Sequence, residues 1–247
     1  MNDSALIALF TDFGVNGPYI GQMKAAIYQV DARARVIDLF ADAPRFDPVA
    51  SGYLLAAYTR GFPVGTVFLS VVDPEVGSAR RKAVVVKAGG YYFVGPNNGL
   101  FDAVICQHAE SEVYEIAWTP SVLSNTFHGR DLFAPVAVRL ASDSLNSDWL
   151  KPRQESTVLS VDADCYRVVY IDSFGNAICG VRSETVKGKH LLAVNGHLLE
   201  RAHTFSDVVV GRGMWYENSS GLVEISVNRG NAAELLNLSV GVALVFK

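Results

Sequence analysis

The sequence predicts an α/β N-terminal domain over residues 1–150, with a mainly parallel sheet flanked by helices, and a smaller C-terminal antiparallel β-barrel or sandwich over residues 151–247. Three observations predict it. From Leu6 to Gly61, short unbroken apolar runs alternate with stretches of helical period, the pattern of strand-helix-strand units. Between Ala141 and Glu155 the composition turns to Ser, Asp and Asn and then Lys151-Pro152, as a connection between domains does. Beyond it the helical period gives way to short β-rich runs separated by turn residues.

Leu6 to Phe10 reads as a central strand with Asp12 at its carboxyl end. Pro18 opens a helix in which Ile20, Met23, Ile27 and Val30 form the buried stripe. Arg35 to Phe40 is the next strand, and Asp47-Pro48 supplies N-cap and first turn of a helix carrying Tyr53, Leu54, Ala57 and Tyr58 that stops at Gly61. This order predicts parallel strands joined by right-handed crossovers. Thr66 to Ser70 is a buried strand that runs out into Val71-Val72-Asp73-Pro74, with Arg80 and Arg81 in the turn beyond. Lys82 to Lys87 and Tyr91 to Val94 flank Gly89-Gly90 as a hairpin, before the turn cluster Gly95-Pro96-Asn97-Asn98-Gly99. A helix is expected over Leu132 to Leu140, its first turn beside His128. In the second domain the strands are Tyr166 to Ile171, Leu191 to Val194, Asp207 to Val210, Leu222 to Val227 and Val240 to Phe246, separated by turn residues that include Asn195-Gly196.

Composition narrows the function. The net charge of −4 and the absence of a Lys/Arg block point away from nucleic acid and from a membrane surface, toward a small polar or zwitterionic partner. Three separated cysteines, Cys106, Cys165 and Cys179, fit neither a disulfide framework nor a structural zinc site. The N-terminal residues carry no basic region and too short an apolar run for a signal or a spanning helix, so a soluble, cytoplasmic protein is expected.

Polar residues at strand ends are the candidates for chemistry, because ligands of open α/β sheets bind outside the carboxyl ends of the strands. Here these are Asp12, Asp73, Arg80 and His128, with Asp172-Ser173-Phe174-Gly175-Asn176 from the second domain. Residue type alone leaves plain roles open: a turn cap for Asp12, turn initiation for Asp73-Pro74, a solvated charge for Arg80, a half-buried histidine for His128. Carboxylates with one histidine also suit metal-assisted hydrolysis, but the spacing matches no metal motif.

The ordered set Thr11-Asp12-Phe13-Gly14, Val72-Asp73-Pro74-Glu75-Val76-Gly77 with Arg80, Gly95-Pro96-Asn97-Asn98-Gly99, Phe127-His128-Gly129-Arg130-Asp131, Asp172-Ser173-Phe174-Gly175-Asn176 and Asn228-Arg229-Gly230-Asn231-Ala232-Ala233 closely resembles the adenosine-forming S-adenosyl-L-methionine hydrolases. These are also called SAM hydroxide adenosyltransferases and are relatives of the fluorinase and chlorinase. The resemblance runs from residue 6 almost to the C-terminus. It implies hydrolysis of S-adenosyl-L-methionine to adenosine and L-methionine by water or hydroxide attack at ribose C5′, with the compound as substrate and no metal or other cofactor. It also implies a homotrimer whose sites lie between the N-terminal domain of one subunit and the C-terminal domain of its neighbour.

The resemblance places the water-activating set on Asp73, Arg80 and His128, with Arg80 able to hold Asp73 in a bidentate pair. Asp12 takes the position that binds the ribose hydroxyls, and Phe46 and Phe127 those of aromatics near the nucleoside. Asp172 corresponds to the residue for the methionine ammonium and Ser219 to that for its carboxylate. Asn176 and the Ala232 backbone belong to the adenine edge, with Phe174 against the purine and Asn231 a further substrate-binding position. Asp73 stands where the halogenating relatives have tyrosine, and Gly129 where they have serine, so hydrolysis is favoured over a halide-dependent, chlorinase-like reaction. A binding protein that senses the same ligand is the other alternative. Three stretches depart from the family pattern: Glu75 replaces a glycine, Ala43 to Asp47 lacks the usual histidine, and Cys179-Gly180 replaces Thr-Asn.

Overall fold

The computed structural model describes residues 5–78, 82–153 and 161–247. The chain divides into two compact units, Met1–Gly52 with Gly61–Val161, and Tyr53–Arg60 with Asp162–Lys247. Residues 53–60 thus group with the second unit, where the Tyr53 hydroxyl donates to Asp162 O at 2.8 Å.

The first unit is built on a sheet of β1 (Leu6–Thr11), β2 (Arg35–Phe40), β3 (Val67–Val71), β4 (Ala83–Ala88), β5 (Tyr91–Pro96), β6 (Ser111–Ile116) and β7 (Leu150–Pro152), in the order β2-β1-β3-β5-β4-β6-β7. The pairs β1–β2, β1–β3 and β3–β5 are parallel, whereas β4–β5, β4–β6 and β6–β7 are antiparallel. The sheet is therefore mixed, not mainly parallel as expected. Gly89 and Gly90, with φ of 58° and 83°, close a two-residue hairpin that turns β4 against β5. β6 and β7 then add antiparallel beyond it. β6 escapes the sequence pattern because two of its residues are charged. Glu112 and Glu115 pair with Lys87 at 2.9 Å and Lys82 at 2.8 Å on a solvent-facing stretch.

Every residue of β3 is buried, and Leu69 is wholly so. Met23 and Ile27 of α1 (Tyr19–Val30) pack into the same core with Leu69, Phe133 and Val136. Truncating such a residue to Ala costs roughly 2–5 kcal/mol. The helix expected over Leu132 to Leu140 is entered through a π-helical turn, Gly129–Phe133, that continues into an α-helix, Ala134–Ala141. Such turns recur at functional sites, because the extra residue re-aims the side chains around it. A second helix, Pro48–Tyr58, carries Asp47 at its entry, whose Oδ1 accepts from Ala50 N at 2.9 Å. The six-residue helix Asp102–Gln107 was too short to show a period.

The second unit is a single sheet of β8 (Cys165–Ile171), β9 (Ala177–Arg182), β10 (Leu191–Val194), β11 (His197–Arg201), β12 (Gly213–Glu217), β13 (Leu222–Val227) and β14 (Val245–Phe246), ordered β14-β10-β11-β12-β13-β9-β8. It comes close to closing as a barrel: Arg167 of β8 bridges to Ala243, beside β14, and Val168 N donates to Val242 O at 2.8 Å. One pair, β11–β12, is parallel, which corrects the purely antiparallel expectation. Asn195 and Gly196, both at positive φ, form a turn as expected, and it closes a β10–β11 hairpin whose second strand the sequence pattern did not mark. Asp207 to Val210 is not a strand. Asp207 instead closes a capping box with Thr204 over one 3₁₀ turn and accepts from His203 N and Thr204 N, leaving Val209 and Val210 in solvent. The run from Val240 is interrupted by Gly241 at φ 94°, so only Val245–Phe246 is a strand. Among the described residues no helix is long and apolar enough to cross a membrane.

Candidate active site

In the first unit, Thr11 pairs with Val71 in the β1–β3 register, so the chain leaves two adjacent parallel strands side by side at Asp12 and Asp73. The two carboxylates, with His128, line one cavity of about 620 Å³ whose walls include Phe13, Tyr19, Phe46, Phe127 and Gly129. Asp12 Oδ2 accepts from Phe46 N at 3.2 Å. Burial raises the Asp12 pKa, and the nearby Asp73 charge adds to this, while the Phe46 amide and the Arg45 guanidinium oppose it. Asp73 Oδ1 accepts from Glu75 N at 3.3 Å, a turn bond of the Asx kind.

The backbone around these carboxylates is tightly specified. Ala43 N donates to Thr11 O at 3.0 Å and Gly14 N to Ala41 O at 2.7 Å, stitching the loop after β2 onto the end of β1. Phe46 in that loop has φ 60°, an uncommon conformation for a side chain of its size. Asn98 Nδ2 donates to Val72 O at 2.7 Å and fixes the exit of β3. Gly77 has φ 85°, and a Cβ there would stand 2.3 Å from Asn125 O, so only glycine lets this turn meet the loop that leads to His128.

His128 stands immediately before the π-helical turn. Its neighbours are clamped: Arg130 makes two hydrogen bonds to Asp131, Nε to Oδ1 at 2.5 Å and Nη2 to Oδ2 at 3.0 Å, and Asp131 Oδ2 also accepts from Ser124 N. The Arg130 guanidinium holds the Asp131 carboxyl below the usual carboxylate range. Arg130 also lies 5.1 Å over the Phe127 ring, which meets Tyr19 and Phe13 edge-on at 5.4 and 5.9 Å. The aromatic wall and the histidine are thus held by one salt-bridged loop.

The second unit has its own recess of about 670 Å³, lined by Asp172, Phe174, Asn176, Phe205, Tyr216, Arg229 and Asn231 among others. Asp172 follows β8 and is used by its own turn: Oδ1 accepts from Phe174 N at 2.9 Å and Asn176 N at 2.8 Å, and Oδ2 from Asn176 Nδ2 at 3.0 Å. Asn231 caps the short helix Ala232–Leu235 by accepting from Glu234 N at 3.0 Å. Gly175, at φ 84°, lies so close that a Cβ would fall 2.1 Å from Asn231 Oδ1.

The structure thus gathers Asp12, Phe46, Asp73, Phe127 and His128 into one cavity, and Asp172, Phe174, Asn176 and Asn231 into the other. Ser219 lies exposed in the β12–β13 turn and Ala232 is buried; neither lines the recess. Arg80 lies outside the described residues. Sequence reasoning missed Arg45, Phe205, Tyr216 and Arg229. For Arg229, the Asn-Arg-Gly-Asn turn was the available signal, since φ 55° there marks a strained corner. Among the described residues no group of three or more His, Cys, Asp or Glu side chains is arranged to hold a metal ion.

Family models for the SAM hydroxide adenosyltransferase N-terminal and C-terminal domains match residues 7–148 and 166–245. The chain belongs to this family. It is 33% identical to the (R)-S-adenosyl-L-methionine hydrolase of Thermus thermophilus, over 95% of this chain and 96% of that one. It is 30% identical to the protein of the same name from Methanocaldococcus jannaschii, over 94% and 92%. The fluorinase of Actinopolyspora mzabensis is 25% identical over 99% and 98%. A crystal structure of a conserved protein from Thermotoga maritima superposes with a TM-score of 0.88 at 30% identity, covering 97% of this chain and 99% of that one.

Within this SAM hydroxide adenosyltransferase the three departures find physical explanations. Glu75 has an ordinary negative φ, the positive value falling on Gly77, and Glu75 is exposed and off the cavity wall. Cys179 is fully buried, its thiol pKa pushed up by burial, and a Cβ on Gly180 would stand 2.8 Å from Cys165 Cβ. That pair therefore serves the packing of β8 on β9. In the Ala43 to Asp47 stretch, Arg45 places a cation on the cavity wall beside Asp12.

Proposed function

We propose that this enzyme hydrolyses S-adenosyl-L-methionine to adenosine and L-methionine. The observation that carries the reading is the meeting of Asp12, Asp73 and His128 in one aromatic-walled cavity. The names of the full-length relatives support it. Asp12 accepts hydrogen bonds from the ribose hydroxyls and so fixes C5′. A water held at Asp73 and His128 attacks C5′ in line with the C–S bond; the new C–O bond forms as the C–S pair passes to the sulfur of methionine. The water proton goes to Asp73 or His128, while Arg80, protonated throughout, supplies positive charge to the set. A sulfonium needs no protonation to depart, so the protein's contribution is alignment of the nucleophile and removal of its proton. Asp172, Phe174, Asn176, Ser219, Asn231 and the Ala232 backbone bind methionine and adenine in this reading.

S-adenosyl-L-methionine is substrate here, and no metal or cofactor is assigned a step. The reading extends to a cytoplasmic homotrimer with sites shared between subunits. Phe46 and Phe174, 74% and 76% exposed, are large aromatics on the walls of the two cavities that a neighbouring subunit would cover. Incubation with S-adenosyl-L-methionine in buffers with and without chloride tests the reaction. Equal amounts of adenosine and methionine in both are expected. A halogenated nucleoside appearing with chloride would assign the chlorinase-like reaction, and tight binding without turnover a sensor.

A further inference from the structure

We propose that Glu224, a buried carboxylate on β13, is a positioning residue that holds Tyr216 and the Asn218–Gly221 turn in place and thereby sets the affinity for substrate. The inference rests on the assignment of the second-unit recess to S-adenosyl-L-methionine. Glu224 is 7% exposed, and among the described residues no cation lies within ion-pair distance of it. Its partners are all donors. The Tyr216 hydroxyl makes a short bond to Oε1, Ser226 Oγ approaches the same oxygen at 3.4 Å, and Asn218 Nδ2 donates to Oε2 at 3.1 Å. A carboxylate buried without a counter-ion is costly, and an apolar residue would build this strand at lower cost. What the carboxylate supplies is geometry.

Two parts of the site depend on it. The Tyr216 ring lines the recess and packs against Phe205 with centroids 5.4 Å apart. Asn218 begins the turn that carries Ser219, and its Oδ1 accepts from Ser220 N and Leu222 N, both at 3.0 Å. Those two bonds fix the orientation of the amide, so its NH₂ has to face Glu224. A glutamine at this position has one acceptor oxygen: with that oxygen on the Asn218 amide, its NH₂ meets the Tyr216 hydroxyl, which then accepts a neutral hydrogen bond where it had donated a charge-assisted one. Glu224 thus couples a wall residue and a binding turn through a single group.

The test is the Glu224→Gln variant, with Tyr216→Phe and the double variant, followed by steady-state kinetics and by amide hydrogen exchange over residues 218–222. The expected result is a KM raised up to about tenfold, as the charge-assisted Tyr216 bond gives way to a reversed neutral one, with kcat within about twofold. Exchange in the turn should quicken, and the double variant should show no more KM loss than the larger single one. Quickened exchange with an unchanged KM would reduce Glu224 to a structural residue, and a fall in kcat at constant KM would place it in the chemistry; either overturns the proposal. A wild-type protein without turnover would overturn the functional reading and this one with it, whereas normal wild-type turnover with an unmoved KM in Glu224→Gln overturns only the role of Glu224.

Discussion

Asp12 and Asp172 each follow a β-strand directly, β1 in the first unit and β8 in the second, and their surroundings put them to opposite uses. Asp172 accepts three hydrogen bonds from its own turn, from Phe174 N, Asn176 N and Asn176 Nδ2. Asp12 accepts from the Phe46 amide and its own, and has its pKa raised, chiefly by burial. A carboxylate satisfied by local donors is held rigidly by its turn, and in the proposed reading it meets its ligand already fixed in place. One left partly desolvated in a cavity is held at a cost in stability, and in the proposed reading it regains its partners from the ligand. Desolvation, more than the position at a strand end, separates the two.

The largest effect expected belongs to the residues grouped with Asp12. Asp73→Asn and His128→Ala should each lower kcat by about 10²–10⁴-fold, the range for a positioned acid–base group, with KM changed little. A large KM change at constant kcat would move these residues to the binding side. Asp12→Asn should instead raise KM by about tenfold, because a ribose hydroxyl loses its charged acceptor, with a smaller change in kcat.

Stability sharpens the contrast further. Asp172→Ala removes the acceptor of three donors and should cost roughly 1–3 kcal/mol, seen in denaturant unfolding. Gly175→Ala should destabilise the same turn by about 1–3 kcal/mol, since the methyl would need φ 84° and the space of Asn231. Asp12→Asn should do the reverse and raise Tm slightly at neutral pH. A carboxyl with a raised folded pKa binds its proton more tightly folded than unfolded, so its stabilising contribution is present in acid and lost as pH rises through that pKa. The asparagine keeps an acceptor for Phe46 N without that loss. For the wild type, substrate affinity should fall as pH drops through the raised Asp12 pKa, and this limb should vanish in Asp12→Asn.

Much of this was legible in the sequence, and the exceptions are instructive. Strand ends at Asp12, Asp73 and Asp172 follow from apolar runs that stop at a polar residue, and the turns at Gly89-Gly90 and Asn195-Gly196 from residues that tolerate positive φ. The failures came where tertiary pairing overrode local pattern. Val208 to Val210 has strand propensity, but the Thr204–Asp207 capping box directs the chain into a turn. β4, β6 and β7 made the first sheet mixed because pairing direction is decided by connections, not by runs. Arg45 and Glu224 were invisible for a related reason. A charged residue in a loop or inside Leu222-Val223-Glu224-Ile225 declares its role only when its partners, distant or across a turn, are brought to it.

The central claim is that the Asp12 cavity delivers water to C5′. Turnover of S-adenosyl-L-methionine in ¹⁸O-labelled water tests it most directly: the account predicts one labelled oxygen in the 5′-hydroxyl of the adenosine formed. Adenosine without label, or no adenosine, would contradict it.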